Sequence, residues 1–183
     1  VVMVSKELEI IITGDNSIYY RDEGSAKIFG NALMKKIMAL DTLFMTADTL
    51  VAIESDDPSK KRLLAYENVK IYKSDLQGIA DSLAYVNQDS VLFFYQDPVL
   101  WTDGNQMTAD SINVVLLNNT IDKLNMNQNS FVVSTDSIEN FNQVKGRKMV
   151  ANFNNGQIKK VDVTGNGESH FFALDDEENS LIG

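Results

Sequence analysis

The sequence of 183 residues has no cysteine, only two prolines and a single histidine. The absence of cysteine excludes disulfide bonds, cysteine nucleophiles and zinc sites built on thiolates. His170, as the only histidine, supports neither a Ser-His-Asp triad nor a histidine-rich metal site. No run of about 18 apolar residues occurs, which excludes a typical membrane-spanning helix. We therefore expect no catalytic centre, no cofactor and no metal.

Positive charge is also scarce. The chain has 16 basic and 26 acidic residues and a net charge of −10. Nucleic-acid binding and adhesion to an anionic membrane both need a basic surface, so we predict neither. Short basic clusters occur at Lys35–Lys36 and Lys60–Arg62, and we interpret them as solvated turns. We interpret the acidic stretch "LDDEEN", at 174–179, as an exposed loop.

A pattern of ten residues recurs along the chain. It is clearest in "FMTADTLVAI", "QGIADSLAYV" and "NQMTADSINV", and looser in "ITGDNSIYYR", "VVSTDSIENF" and "VKGRKMVANF". We align the copies on the apolar residue after the Asp-Ser step or its equivalent, and most neighbouring copies then lie roughly 30 residues apart. These anchors are Ile18, Leu50, Leu83, Ile112, Ile138 and Met149. Such spacing indicates a structural repeat, in which each layer buries its apolar stripe only against its neighbours.

A second element alternates with the first. It is a polar pair that contains Asn or Asp and has apolar residues beside it. The copies are Gly30–Asn31, Glu67–Asn68, Gln96–Asp97 and Gly165–Asn166, with a weaker one near Asn127. The alternation predicts two strands per repeat, joined by turns.

Local composition favours strands throughout. "NVKIY" alternates apolar and polar residues, and "SVLFFYQDPVLW" is rich in β-branched and aromatic residues. One segment allows a different interpretation, because Asn31 to Met45 has apolar residues at helical spacing. We favour two strands there, since "FGN" and "TADT" keep their repeat positions on either side.

The period of two assigns faces. The anchor and the residue two positions later are both apolar or aromatic in every copy except Ile138/Asn140. Asp48, Asp81, Asp110 and Asp136 lie two positions before their anchors, where a regular strand would bury them. A buried unpaired carboxylate costs several kcal/mol. We therefore predict a bulge or bend at the Asp-Ser step, which turns the Asp outward or pairs it with backbone N–H groups.

These motifs resemble the OstA-like proteins, relatives of LptA, the periplasmic component of lipopolysaccharide transport. The resemblance is carried by "YQDPVLWTDGNQMTADSINV", "LQGIADSLAYV", "VKGRKMVANFNNGQIKKVDVTGNG" and "KIFGNALM". The chain departs from the family pattern in three places. Gln96–Asp97 replaces Gly-Asn, Gly146–Arg147 replaces Ala-Asp, and "IESDDPSKKRLLA" is an insert without a counterpart.

The resemblance implies an all-β fold, an open twisted β-jellyroll built from stacked two-strand repeats, as one domain over residues 1–183 that is truncated at its C-terminus or completed by a partner. It implies a periplasmic location, with the secretory signal absent from this sequence, and a role in outer-membrane biogenesis. The implied function is to shield the acyl chains of lipopolysaccharide in an apolar groove, with the phosphorylated headgroup outside. Implied partners are homologous jellyroll transport subunits or further copies in a head-to-tail homo-oligomer.

The face assignment predicts which residues line the groove. The predicted lipid-binding residues are Ile18, Tyr20, Val69, Ile71, Leu83, Tyr85, Val99, Trp101, Ile112 and Val114. The alternative is a structural or adhesive β-repeat protein with a filled core and no lipid ligand. A carbohydrate-active β-solenoid enzyme would need clustered acidic and basic residues on one strand face, which the sequence does not show.

Overall fold

The computed structural model describes residues 1–6, 8–86, 88–102, 104–118, 120–135, 140–174 and 180–181. This part of the chain consists of strands and two single turns of 3-10 helix, Arg21–Glu23 and Pro58–Lys60, neither of which is long or apolar enough to cross a membrane. The strands are β1 (Val2–Ser5), β2 (Ile10–Thr13), β3 (Asn16–Tyr20), β4 (Ser25–Ile37), β5 (Thr42–Ile53), β6 (Arg62–Lys73), β7 (Leu76–Val86), β8 (Val91–Tyr95), β9 (Val99–Thr102), β10 (Asn105–Thr108), β11 (Ser111–Leu117), β12 (Thr120–Thr135), β13 (Phe141–Asn154), β14 (Gln157–Thr164), β15 (Glu168–His170), β16 (Ala173–Leu174) and β17 (Ser180–Leu181).

The prediction of an all-β, jellyroll-like fold is confirmed. Within the described residues, β1 to β15 join into one antiparallel sheet, and β16 pairs only with β17. The segment from Asn31 to Met45, for which the sequence also allowed a helix, forms the second half of β4 and the start of β5. Its apolar residues fall at helical spacing because the turn between the two strands interrupts their alternation of apolar and polar residues.

The sheet folds into two walls that share one core. The first wall contains β1, β2, β9, β10 and β15, with the halves of β4, β5, β6, β7, β12 and β13 that continue their pairing. The second wall contains β3, β8, β11 and β14, with the other halves of the same long strands. Buried residues of both walls, such as Met34 and Met107 in the first and Leu50 and Phe94 in the second, belong to one apolar cluster. The walls therefore face each other.

The chain passes from one wall to the other at pairs of residues with positive φ, within β4, β6 and β12 and at the junctions of β8 with β9 and of β14 with β15. These pairs are Gly30–Asn31, Glu67–Asn68, Gln96–Asp97, Gln128–Asn129 and Gly165–Asn166, and we call them the corner pairs. They coincide with the polar pairs of the sequence, the weaker copy near Asn127 being Gln128–Asn129. Glycine adopts the left-handed region freely, and Asn and Asp tolerate it better than most residues. The repeat therefore restates these residues because every layer needs a left-handed corner.

The corner differs in one respect from the prediction. Phe29 pairs with Thr49 and Ala32 with Ala47, so the two residues of a corner pair lie opposite the single residue Asp48. The extra residue thus belongs to the strand with the polar pair and not to the Asp-Ser strand. Asp48 turns outward and is exposed, as predicted.

Side-chain hydrogen bonds connect successive strands along the corner. The amide of Asn31 donates to Asp15 at 2.8 Å, and the amide of Asn68 donates to Asp48 at 2.8 Å. Asn129 donates to Asp110 at 2.9 Å. The repeated Asp therefore accepts a bond from the Asn of the next polar pair, which the sequence pattern alone did not indicate.

Two levels of the corner lack this Asn–Asp combination. Asp97 takes the place of Asn in the third pair, and the residue it faces is Asp81. In the fifth pair, Asn166 faces Arg147, whose backbone N–H donates to the carbonyl of Gly165 at 2.7 Å. Both levels coincide with departures from the family pattern. Asp136 and the anchor Ile138 lie outside the described residues.

Candidate functional site

Six of the ten predicted lipid-binding residues lie in the interior between the walls. Their exposed fractions are 5% or less, and they are Val69, Ile71, Leu83, Tyr85, Ile112 and Val114. Val69 and Ile71 belong to the first wall, and the other four belong to β7 and β11 in the second wall. The anchor rule therefore identified the inward face of the central layers correctly.

Val99 and Trp101 do not share that face. Both are half-buried on the outer surface of β9, while Leu100 and Thr102 point inward. The residue directly after a corner pair is buried in this level and others, as for Val69 and Pro98. The inward series in β9 is therefore Pro98, Leu100 and Thr102, and the prediction was one residue out of phase, which exchanges the two faces.

Ile18 and Tyr20 are also outside the interior, with exposed fractions of 44% and 42%. Among the described strands, β3 pairs only with β4, and all five of its residues are exposed. The hydrogen bond from Asn31 identifies Asp15 as the corner Asp of this copy, so the residue two positions later is Ser17. Aligning the copy on Asn-Ser instead of on Asp15 displaced the anchor by one residue.

The central interior is filled by side chains. Leu92, Phe94 and Leu100 are fully buried. Ile112 and Val114 are equally inaccessible. Protein interiors packed in this way leave few voids larger than a water molecule. Any ligand that reaches these residues must therefore separate the two walls.

The interior opens at its N-terminal end into a cavity of about 290 Å³. We call it the N-terminal cavity. Met3, Leu8 and Ile12 line it from the first wall, and Ala52 and Leu63 line it from the second. Its surface is largely apolar, and it lies between β1 and its neighbour β2 on one side and the ends of β5 and β6 on the other.

Tyr85 separates this cavity from the filled interior. Its side chain is 1% exposed and lines the cavity. Burial raises the pKa of Tyr85 to about 12, although a hydrogen bond with Ser90 acts in the opposite direction. The phenol is therefore uncharged at neutral pH, as an apolar wall requires.

Charged side chains surround the mouth of the N-terminal cavity. Its lining includes Glu54 and Lys61 from the loop between β5 and β6 and Arg62 at the start of β6. The ammonium of Lys61 lies 3.7 Å from the carboxylate of Glu54. Opposite them, Lys36 donates to the carbonyl of Leu8 at 2.9 Å.

Lys36 connects this mouth to Tyr85. Its ammonium lies 5.8 Å from the centre of the Tyr85 ring, within the range of a cation–π interaction. Burial lowers the pKa of Lys36, and the nearby carboxylate of Glu9 acts in the opposite direction. The interpretation of the two basic clusters as solvated turns was wrong for Lys36 and Lys61, because Lys36 is half-buried in a strand and the Lys61 side chain is only 18% exposed.

The described residues offer no grouping for metal chemistry. No three His, Cys, Asp or Glu side chains among them are placed to hold a metal ion. His170 is exposed in β15, where its ring lies edge-on to Phe172 at 5.1 Å. The geometry supports binding of an apolar ligand between two walls.

Comparison with known proteins bears on the fold. No protein-family model matches the chain, and no curated protein matches it. A solved structure that resembles it is that of LptH from Pseudomonas aeruginosa, described as the LptA homologous periplasmic component of the conserved lipopolysaccharide transport device. The TM-score is 0.55 at 10% sequence identity, over 64% of this chain and 82% of LptH. The chain therefore has an LptA-like fold.

Proposed function

We propose that the protein is a periplasmic, non-enzymatic lipid carrier or bridge that shields the acyl chains of lipopolysaccharide between its two walls during transport to the outer membrane. The observation that carries the proposal is an apolar interior between two walls, open at one end, in a fold shared with LptH. The interior residues Val69, Ile71, Leu83, Tyr85, Ile112 and Val114 are the proposed acyl-chain contacts.

The energetics of this interior suit a lipid. Burial of an acyl chain contributes about 0.8 kcal/mol per CH₂, whatever the identity of the apolar neighbours. A chain that enters at the N-terminal cavity and reaches Tyr85 needs only a displacement of the walls to continue toward Val114. The ligand thereby replaces wall-to-wall contacts with chain-to-wall contacts of the same apolar kind.

The free sheet edges support the proposed partners, which are homologous jellyroll subunits or further copies in a head-to-tail arrangement. At the N-terminal end of the described residues, β1 pairs only with β2, and β3 pairs only with β4. The apolar run from Leu8 to Thr13 is not a free edge, because β2 pairs with β1 on one side and β4 on the other. Val2 and Val4 are 67% and 62% exposed on β1, which makes it the better candidate for strand addition.

The C-terminal end offers the opposite edge. In the described part of the chain, strands β14 and β15 each pair only with β13. Residues 175–179 and 182–183 lie outside that part. A partner added at β14 and β15 would continue the two walls in the same order.

A second candidate function has a specific observation in its favour. The filled interior around Phe94, Leu100 and Ile112 is what a structural or adhesive β-repeat protein without a lipid ligand requires. The two candidates differ in whether the walls separate to admit a chain.

Extraction of lipid from the protein purified out of a lipopolysaccharide-producing host, followed by mass spectrometry, distinguishes the candidates. A carrier is expected to retain lipopolysaccharide in proportion to protein, and a scaffold to retain none above the level of a co-expressed unrelated protein. Photo-crosslinkers at Val114 and at the exposed corner residue Asp81 then locate the lipid, with capture expected only at Val114.

A further inference from the structure

The charge around the N-terminal cavity differs from that of the whole protein. The net charge of the chain is −10, yet Lys61 and Arg62 line this one apolar cavity. A third cation, Lys36, lies next to it, in contact with the lining residues Leu8 and Tyr85. Two carboxylates lie close to them, since Glu54 is near Lys61 and Glu9 is near Lys36. The local balance is therefore positive in a molecule that is otherwise strongly acidic.

The side chain of Lys61 is far less exposed than that of its neighbour Lys60. The exposed fractions are 18% for Lys61 and 67% for Lys60. A lysine covered to this extent places its methylene groups along apolar surface and its ammonium at the boundary with water. The ammonium of Lys61 is thus held at the mouth of the cavity.

The segment that supplies this mouth is the insert that departs from the family pattern. Glu54 and Lys61 lie in the loop between β5 and β6, and Arg62 is the first residue of β6. The opposite cation, Lys36, comes from β4 in the first wall. Cations from the two facing walls therefore lie close to the same apolar opening.

The volume limits what the cavity holds. Small-molecule sites commonly occupy about 300–1,000 Å³, and this cavity, at about 290 Å³, lies at the lower limit. That space suits one slender chain and not a bundle of acyl chains. An ammonium group at the rim of such a site attracts an anionic group at the end of the chain.

We propose that the N-terminal cavity is a binding site for a single acyl chain that carries one anionic group, with the chain against Ile12, Ala52 and Leu63 and the anionic group beside Lys61 and Lys36. This inference rests on the proposed lipid-binding function and adds to it a location, a stoichiometry of one chain and a preference for negative charge. A carboxylate and a phosphate monoester share the required chemistry.

Calorimetric titration with single-chain probes below their micellar concentration tests the preference. The probes are lauric acid, dodecyl phosphate and dodecyltrimethylammonium, which share one chain length and differ in the charged group. We expect one molecule of either anionic probe to bind per protein molecule. Its affinity should exceed that of the cationic probe about fivefold or more, the factor that a single ion pair at a protein surface contributes. Comparison of lauric acid with dodecyl phosphate assigns the anion as carboxylate or phosphate.

Two variants and a control locate the site. Lys61→Gln is expected to weaken the anionic probes about fivefold and leave the cationic probe unchanged or tighter. Ala52→Phe fills the cavity and is expected to abolish binding of all three probes. Lys159→Gln removes an equally charged side chain from the exposed surface of β14 and is expected to change nothing. Circular dichroism of each variant confirms that it is folded.

Two results would overturn the inference. If all three probes bind with equal affinity, and Lys61→Gln does not change that affinity, charge has no role in binding. If Ala52→Phe binds the probes as tightly as the wild type, the cavity is not the binding site. Neither result bears on lipopolysaccharide co-purification, which tests the proposed function separately. Absence of both probe binding and co-purified lipid would overturn the inference and the proposed function together.

Discussion

The third level of the corner provides a direct test of the Asn–Asp ladder. At the levels of Asn31, Asn68 and Asn129, an amide donates to a carboxylate of the preceding strand. At the third level Asp97 occupies the place of the Asn, with φ of 54°, and it lines the same surface depression as Asp81. Asp97→Asn is expected to stabilise the protein, because it replaces a pair of like charges with a donor and an acceptor.

The magnitude follows from two contributions. A hydrogen bond of this kind contributes a net of about 0.5–1.5 kcal/mol, and removing the repulsion of two exposed carboxylates contributes up to about 1 kcal/mol in a water-like dielectric. The backbone contribution is small, since Asn and Asp both tolerate positive φ. The expected gain is about 1–2 kcal/mol, which corresponds to a rise in Tm of roughly 2–8 °C for a domain of this size.

Urea unfolding followed by circular dichroism measures the gain. The reverse exchange, Asn68→Asp, places two carboxylates at the neighbouring level and is expected to lower stability by a similar amount. In an Asp81→Ala background Asp97→Asn loses its acceptor, so its stabilising effect should disappear. A neutral or destabilising Asp97→Asn, or a gain that persists without Asp81, would refute the ladder as an energetic feature.

Three further predictions concern the apolar core, the stability of the fold at acidic pH and the free edge at β1. Phe94→Ala removes a fully buried ring between Leu83 and Ile112 and should destabilise by about 3–5 kcal/mol, whereas Phe93→Ala on the outer face should cost clearly less in the same denaturant titration. Burial acts to raise the pKa of Asp41, but hydrogen bonds from Ser74 and Thr42 and the charge of Lys73 outweigh it and lower the pKa below 3.8. Asp41 should therefore stabilise the fold above pH of about 4 and lose that effect as pH falls through its folded pKa, so the stability difference between wild type and Asp41→Asn should shrink in acid. Val2→Lys adds a charge to the edge strand β1 and should weaken concentration-dependent self-association in sedimentation velocity; association that is unchanged would exclude β1 as the edge that pairs.

The alternation of apolar residues was sufficient to predict much of the fold. Leu83, Tyr85, Ile112 and Val114 were assigned to the interior from period two alone, and they lie there because both neighbours of their strands bury the same face. The strands over Asn31 to Met45 were predicted from the repeat in spite of their helical spacing. Repeat position was the stronger signal because each layer must pair with layers on both sides.

The phase of the short strands was not predictable in the same way. The buried series Leu92, Phe94, Pro98 and Leu100 keeps its period of two across the corner pair, and Val99 and Trp101 were assigned to the wrong face because the prediction began one residue after Pro98. The hydrogen-bond partner of each corner Asp was also not predictable, because Asn31 lies 16 residues from Asp15 in sequence and only the pairing of the strands brings the two side chains together. The N-terminal cavity was missed because its apolar lining comes from both walls, and neither basic cluster indicates a site by itself.

The most direct test of lipid binding between the walls is photo-crosslinking at two tyrosines of neighbouring strands. Tyr85 in β7 is 1% exposed and faces the interior, and Tyr95 in β8 is 43% exposed on the outer face. Replacing each with a photoreactive phenylalanine in cells that produce lipopolysaccharide compares the interior with the outer face on two paired strands. The account predicts capture of lipopolysaccharide at position 85 and not at position 95. Equal capture at both positions, or capture only at position 95, would contradict it.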